Sequence, residues 1–153
     1  MKIALIVPHL EEGGMPKLVS TMSRAWNGAH EVTVVLLISG MEKNYAVDGR
    51  VVELAPRGRG IAGKALAVVR RVRLAKKLRR RERFDAVISF GSAANAVNVL
   101  SRCGEQVVLT EHNIKSQENR SWGLAGRFYD LMISRLYNSA DAVVAISRAM
   151  KED

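Results

Sequence analysis

Six short runs of consecutive apolar residues, many of them β-branched, constrain this chain more than any other feature. They cover Ile3 to Val7, His30 to Ile38, Val51 to Ala55, Phe84 to Phe90, Gln106 to Thr110 and Ala140 to Ile146. A strand with one wet face alternates polar and apolar side chains. These runs do not alternate, so each suits a strand covered on both faces. Stretches with helical spacing lie between most of them. Proline suits the first turn of a helix, and Pro16 stands just after Gly13-Gly14. Leu18, Met22, Ala25 and Trp26 then recur along one side, and Asn27-Gly28 ends the element. Ile61 to Arg83 reads as a long amphipathic helix. Its buried stripe is expected at Ile61, Ala65, Val68, Val72 and Ala75, widened by Leu66, Val69, Leu74 and Leu78. Gly91 to Cys103 reads as a short helix with its Ala, Val and Leu residues inward. Trp122 to Tyr137 reads as another, with Phe128, Met132 and Leu136 on one stripe.

Strands and helices that alternate in this way predict an α/β fold. The expected architecture is a Rossmann-like, doubly wound parallel sheet of about six strands in the order 3-2-1-4-5-6. The 153 residues suit one domain, spanning 1–153. Ser147 is a plausible N-cap for a helix that reaches only Asp153, so the expectation is one half of a larger protein. No run approaches the ~20 apolar residues of a membrane span. The N-terminus lacks a cleavage-site pattern, which makes the cytoplasm the expected location. The single Cys103 excludes an intrachain disulfide and a cysteine-cluster metal site.

Charge is unevenly spread. Lys and Arg total 24 against 15 acids, giving +9, and 12 of the basic residues fall between Arg57 and Arg83 with one acid, Glu82. Such a row repels itself, so a polyanionic partner is a natural reading beside that of a solvated face. Arg70, Arg71, Arg73, Lys76, Lys77 and Arg80 are the candidates for an anionic membrane surface. No aromatic residue interleaves with them, which makes nucleic acid an unlikely partner. Trp122 reads either as an interfacial anchor or as a core residue.

In open α/β sheets, ligands bind beyond the carboxyl ends of the strands, near the switch in strand order. Four segments should gather there: Pro8 to Gly14, Gly91-Ser92, Glu111-His112-Asn113 and Ser147. Gly13-Gly14 opens a helix, where backbone N–H groups and the helix dipole favour an anion. A tight turn without a ligand would read the same way. Thr110-Glu111-His112-Asn113 places polar groups directly after a buried strand, and His112 is suited to orient a hydroxyl or move a proton near neutral pH. A plain surface loop is its alternative. His9 follows the first strand with nothing else to mark it. Gly58-x-Gly60-x-x-Gly63 matches a dinucleotide fingerprint by letter but follows the third strand, so a flexible lead-in to the basic helix is the expected use. There is no nucleophile elbow, no phosphate-binding lysine loop and no metal-ligand spacing.

Taken in order, these segments resemble the N-terminal half of a GT-B fold glycosyltransferase of family 4. Lys2 to Pro8 with Gly13-Gly14 is similar to that family's opening strand and glycine loop. Asn27 to Val35 resembles its second strand. Phe84 to Ile88, Thr110 to Asn113 and Ala140 to Ser147 resemble the fourth, fifth and sixth. The resemblance implies a retaining transfer of sugar from a nucleotide-sugar to a glycan or lipid-linked acceptor. It implies no tightly bound cofactor, with the nucleotide-sugar as co-substrate. Gly13, Gly14 and Lys17 would approach the donor diphosphate, and His112 would lie at the transferred sugar as the catalytic residue. His9, Ser92, Glu111 and Asn113 would serve the acceptor. Where the family usually has Glu-Arg after the glycines, this chain has Met15-Pro16-Lys17. The family's donor-binding second domain has no counterpart in the chain. It would be supplied as a missing C-terminal domain or a partner subunit, and the chain would not be competent alone. The inner face of the membrane would then be the working location. The alternative is a non-catalytic Rossmann-like module whose basic helix contacts nucleic acid or a protein.

Overall fold

The computed structural model describes residues 1–112 and 135–145. The chain runs β1 (Lys2–Val7), α1 (Gly14–Trp26), β2 (Glu31–Ile38), β3 (Arg50–Ala55), α2 (Gly60–Glu82), β4 (Ala86–Phe90), α3 (Ser92–Leu100), β5 (Gln106–Glu111) and β6 (Ala142–Ala145). Residues 135–137 are helical. The start of the helix expected from Trp122, together with Phe128, Met132, Asn113 and Ser147, lies outside the described residues. The six strands form one sheet in the order β3-β2-β1-β4-β5-β6, and every neighbouring pair is parallel, as expected.

Both faces of the central strands are covered, which is why their residues do not alternate. Ile3, Leu5 and Val7 join Val32, Val34 and Leu36 beneath Val19 of α1, with Met22 and Trp26 at the margin. Ala4, Ile6, Val35 and Leu37 point the other way, against Ala75 and Leu78 of α2 and Ala94 and Val97 of α3. The strand order grows outward from β1 in two directions. Right-handed crossovers therefore put α1 on one face and α2 and α3 on the other.

Four expectations need correction. On α2 the expected stripe holds only in the second half: Ala75 and Leu78 are buried, Val72 and Leu74 pack partly against the core and Ala67 is buried as well, whereas Leu66 and Val69 are 67% and 46% exposed and Ala65 and Val68 are exposed too. The cause is two arginines that face inward. Arg71 Nε donates to the Leu37 carbonyl at 2.8 Å and Nη2 to the Pro56 carbonyl at 3.2 Å, so it caps the ends of β2 and β3 instead of joining the outer basic face. Arg79 is 2% exposed and pairs with Glu105. On α3, Asn95 and Asn98 are buried together with Ala94 and Val97, while Leu100 is exposed. The sixth strand begins at Ala142 rather than Ala140. It is an edge strand with Val143 and Val144 exposed. The lead-in to α2 is tight rather than flexible. A side chain on Gly58 would fall 2.0 Å from the Gly63 carbonyl oxygen, so the fingerprint-like glycines serve close packing of the loop on the helix.

Candidate functional site at the carboxyl ends of the central strands

Three turns meet beyond β1, β4 and β5, and a chain of contacts joins them. Gly91 has φ +81, and a Cβ there would lie 3.0 Å from Met15 Sδ, so the turn opening α3 packs against the first turn of α1. The Gly91 N–H donates to the Thr110 carbonyl at 3.1 Å. Thr110 Oγ1 in turn lies 3.0 Å from His112 Nε2. The His112 and Phe90 rings are 6.1 Å apart and tilted. The glycine turn of α1, the Gly91-Ser92 turn and His112 thus form one continuous lip.

Both helices on this lip start without a capping side chain and without an acid in the first turn. At α1 the first N–H groups are therefore open to solvent or an anion, and the helix dipoles favour negative charge at both starts. Around Gly14 there is open space, since a Cβ built on it meets nothing within 4 Å. Lys17 is exposed one turn into α1. Ser92 is the first residue of α3 and is half-buried.

The remaining candidates are placed less uniformly. His9 lies just past β1 with its Nδ1 3.7 Å from Glu11 Oε2. Glu111 turns inward and is only 7% exposed. It accepts a hydrogen bond from the Tyr137 hydroxyl, and its Oε1 accepts from the His112 N–H at 3.3 Å. Burial pushes the His112 pKa below its usual 6.5, and the nearby Glu111 charge offsets part of that. A neutral imidazole near pH 7 follows. Of the basic candidates, Arg70, Arg73, Lys77 and Arg80 are exposed, Lys76 is half-buried and Arg71 is turned inward. The four exposed residues share one side of α2 with Leu66 and Val69.

Sequence reasoning passed over Asn95 and Tyr137, which reach Glu111, and Ser89 and Asn98, which lie behind them. One signal was available: Asn95 and Asn98 stand three apart in an otherwise apolar helix. A cavity of about 910 Å³ opens at the opposite edge of the sheet, lined by Arg79, Arg80, Arg83, Asp85, Cys103 and Glu105 among others. It sits at the amino ends of β4 and β5, away from the switch point where this fold class binds ligands. Among the described residues, no helix is long and apolar enough to cross a membrane.

The sequence model described as Glycosyltransferase Family 4 matches residues 12–153. The chain belongs to glycosyltransferase family 4. Among solved structures, this family 4 chain is similar to a sucrose-phosphate synthase from Thermosynechococcus elongatus. That match has a TM-score of 0.66 and 15% identity, and covers 93% of this chain and 41% of the other. It is similar to MurG of Acinetobacter baumannii, with a TM-score of 0.64 and 18% identity over 97% of this chain and 43% of MurG. A protein named as a UDP-N-acetylglucosamine 2-epimerase from Listeria monocytogenes gives a TM-score of 0.63 and 16% identity over 99% of this chain and 40% of its own. At these identities the likeness establishes the fold, the Rossmann-like half of a GT-B protein, and nothing finer. The chain spans about two fifths of the length of these three structures. No curated protein sequence matches it.

Proposed function

We propose that this chain is the acceptor-side domain of a retaining glycosyltransferase. The enzyme would move a sugar from a nucleotide-sugar to a glycan or lipid-linked acceptor. The observation that carries the reading is the shared lip, where the glycine start of α1, the Gly91-Ser92 turn and a half-buried histidine lie within one set of contacts. Glycosyl transfer develops positive charge on the sugar and negative charge on the departing diphosphate. Helix-start amides at Gly13 and Gly14, with Lys17 beside them, stabilise an anion without needing to change protonation state. His112, held neutral by burial, is suited to hydrogen-bond a sugar or acceptor hydroxyl. A second domain, on the same polypeptide or on a partner subunit, supplies the nucleotide pocket in this reading. Its closure over the lip excludes the water that would hydrolyse the donor.

The test is a calorimetric titration of this chain with a panel of nucleoside diphosphate sugars, run beside turnover assays on the two-domain assembly. The chain alone is expected to bind donors no more tightly than about 1 mM and to transfer nothing, while the assembly releases nucleoside diphosphate when acceptor is present. Micromolar donor binding by the chain alone would overturn the acceptor-side assignment.

The outer side of α2 supports work at an anionic membrane surface. Leu66 and Val69 give it apolar contact, and Arg70, Arg73, Lys77 and Arg80 give it charge. Each basic residue near anionic lipid contributes about 1 kcal/mol, so replacing Arg70 and Arg73 by glutamine should weaken vesicle partitioning about 30-fold. Sedimentation with phosphatidylglycerol vesicles measures this, and equal partitioning of the variant would remove the membrane from the reading.

A further inference from the structure

We propose that Thr110 holds His112 as the Nε2–H tautomer, leaving Nδ1 as the nitrogen that meets substrate, and that a buried chain of aligned hydrogen bonds from Arg79 to Glu111 secures this arrangement. Thr110 and Glu111 are then positioning residues for His112. The tautomer follows from counting protons. A threonine hydroxyl has one proton to give. Thr110 Oγ1 lies 2.9 Å from the buried Ser89 carbonyl oxygen and donates to it. Without a proton between them, two oxygens at that distance repel. Thr110 Oγ1 therefore has only lone pairs left for His112 Nε2, 3.0 Å away, and that nitrogen must carry the hydrogen.

The chain beneath runs in one direction. Arg79 Nη2 pairs with Glu105 and also donates to Asn98 Oδ1 at 3.0 Å, while Nη1 donates to the Asn98 carbonyl at 2.5 Å. Asn98 Nδ2 donates to Ser89 Oγ at 2.9 Å, and Ser89 Oγ donates to Asn95 Oδ1 at 2.7 Å. Asn95 Nδ2 donates to Tyr137 Oη at 2.9 Å and to the Thr110 carbonyl at 3.1 Å. The Tyr137 hydroxyl donates to Glu111, whose other oxygen accepts the His112 N–H. The linking donations from Arg79 through Asn98, Ser89, Asn95 and Tyr137 point away from the guanidinium and toward Glu111, with side branches from Asn98 to the Val87 and Val108 carbonyls. Dipoles aligned between a cation and an anion reinforce one another in a low-dielectric interior. Asn95, Asn98 and Ser89 are fully buried, so water does not compete for these bonds. Ser89 meets both arms: its hydroxyl belongs to the chain and its carbonyl takes the Thr110 proton.

The importance given to Nδ1 rests on the proposed role of His112 at the reacting sugar, but the tautomer itself does not. The test is long-range ¹H–¹⁵N NMR on this chain labelled at its 3 histidines, with His112→Gln to assign the signal. Above the pKa, His112 is expected to show a protonated Nε2 and a bare Nδ1. Thr110→Ser should keep that pattern. Thr110→Val should shift both ring nitrogens toward a tautomer mixture while distant amides stay in place. Glu111→Gln removes the charge that favours the imidazolium, so it should lower the His112 pKa further without changing the tautomer. Tyr137→Phe should move the His112 amide and ring signals together. A protonated Nδ1 in the parent, or ring signals indifferent to Thr110→Val, would overturn the tautomer assignment. His112 signals unmoved by Tyr137→Phe would overturn the supporting chain. If the tautomer holds and His112→Ala leaves sugar transfer intact, the functional reading fails and the assignment stands.

Discussion

Arg79→Ala is expected to lower the unfolding free energy by about 3–5 kcal/mol, the usual result of leaving one partner of a buried ion pair alone. Arg79 and Glu105 are 2% and 4% exposed at their side chains. Burial pushes the guanidinium pKa down, and the Glu105 charge works against that. Arg79 also donates to Ser101 Oγ at 2.7 Å and to both Asn98 oxygens, so its loss leaves several buried acceptors without a donor. Arg70→Ala is the control, because Arg70 is exposed on the same helix. It should change stability by no more than about 0.5 kcal/mol. Urea unfolding of the two variants decides the matter. Equal midpoints would mean that Arg79 adds nothing beyond a surface arginine. A double variant with apolar residues at 79 and 105 is expected to regain much of the loss, since it strands neither charge.

Arg79 also shows where the sequence could be read and where it could not. The fold was legible because strand order depends on patterns local to each run. Residues Ile3 to Val7 cannot be buried on both sides without helices above and below, and the helical stretches between the runs supply them. The phase of α2 was only partly legible. Counting every arginine as solvent-facing extends the apparent stripe to Ala65 and Val68, which are exposed, whereas Arg71 and Arg79 lie on the inner side because strand-end carbonyls and Glu105 await them there. The identity of those partners depends on contacts across the sheet, which no window along the chain contains. The site divides in the same way. Gly13-Gly14, Gly91-Ser92 and Thr110-Glu111-His112 could be read from their positions after strands. That Glu111 would face Tyr137, 26 residues away, could not.

Under the proposed function, His112→Ala is expected to reduce sugar transfer by the assembly of this chain with a donor-binding domain about a hundred- to ten-thousandfold, the range for removing a positioned proton-handling group. His112 is only half-buried and sits at the end of β5, so the fold should survive the change. Circular dichroism and the unfolding midpoint would confirm that. His112→Gln, which keeps a hydrogen-bonding group, is expected to fall between the parent and alanine. Kinetics at saturating donor and acceptor separate a loss of turnover from a loss of binding. A loss below about tenfold, or 1.4 kcal/mol, would place His112 outside the reacting centre.

The one-way order of the bonds between Arg79 and Glu111 also bears on how this domain can diverge. Asn95→Asp would remove the donor to both Tyr137 and the Thr110 carbonyl, and Ser89→Ala would take away the hydroxyl that donates to the Asn95 oxygen. Asn98 keeps the Val87 and Val108 carbonyls as acceptors in either variant, so the loss falls on the Asn95 end of the chain. Ser89, Asn95, Asn98 and Tyr137 are therefore energetically coupled: the stability cost of changing two of them together is expected to differ from the sum of the single costs, which a double-mutant cycle by urea unfolding would measure.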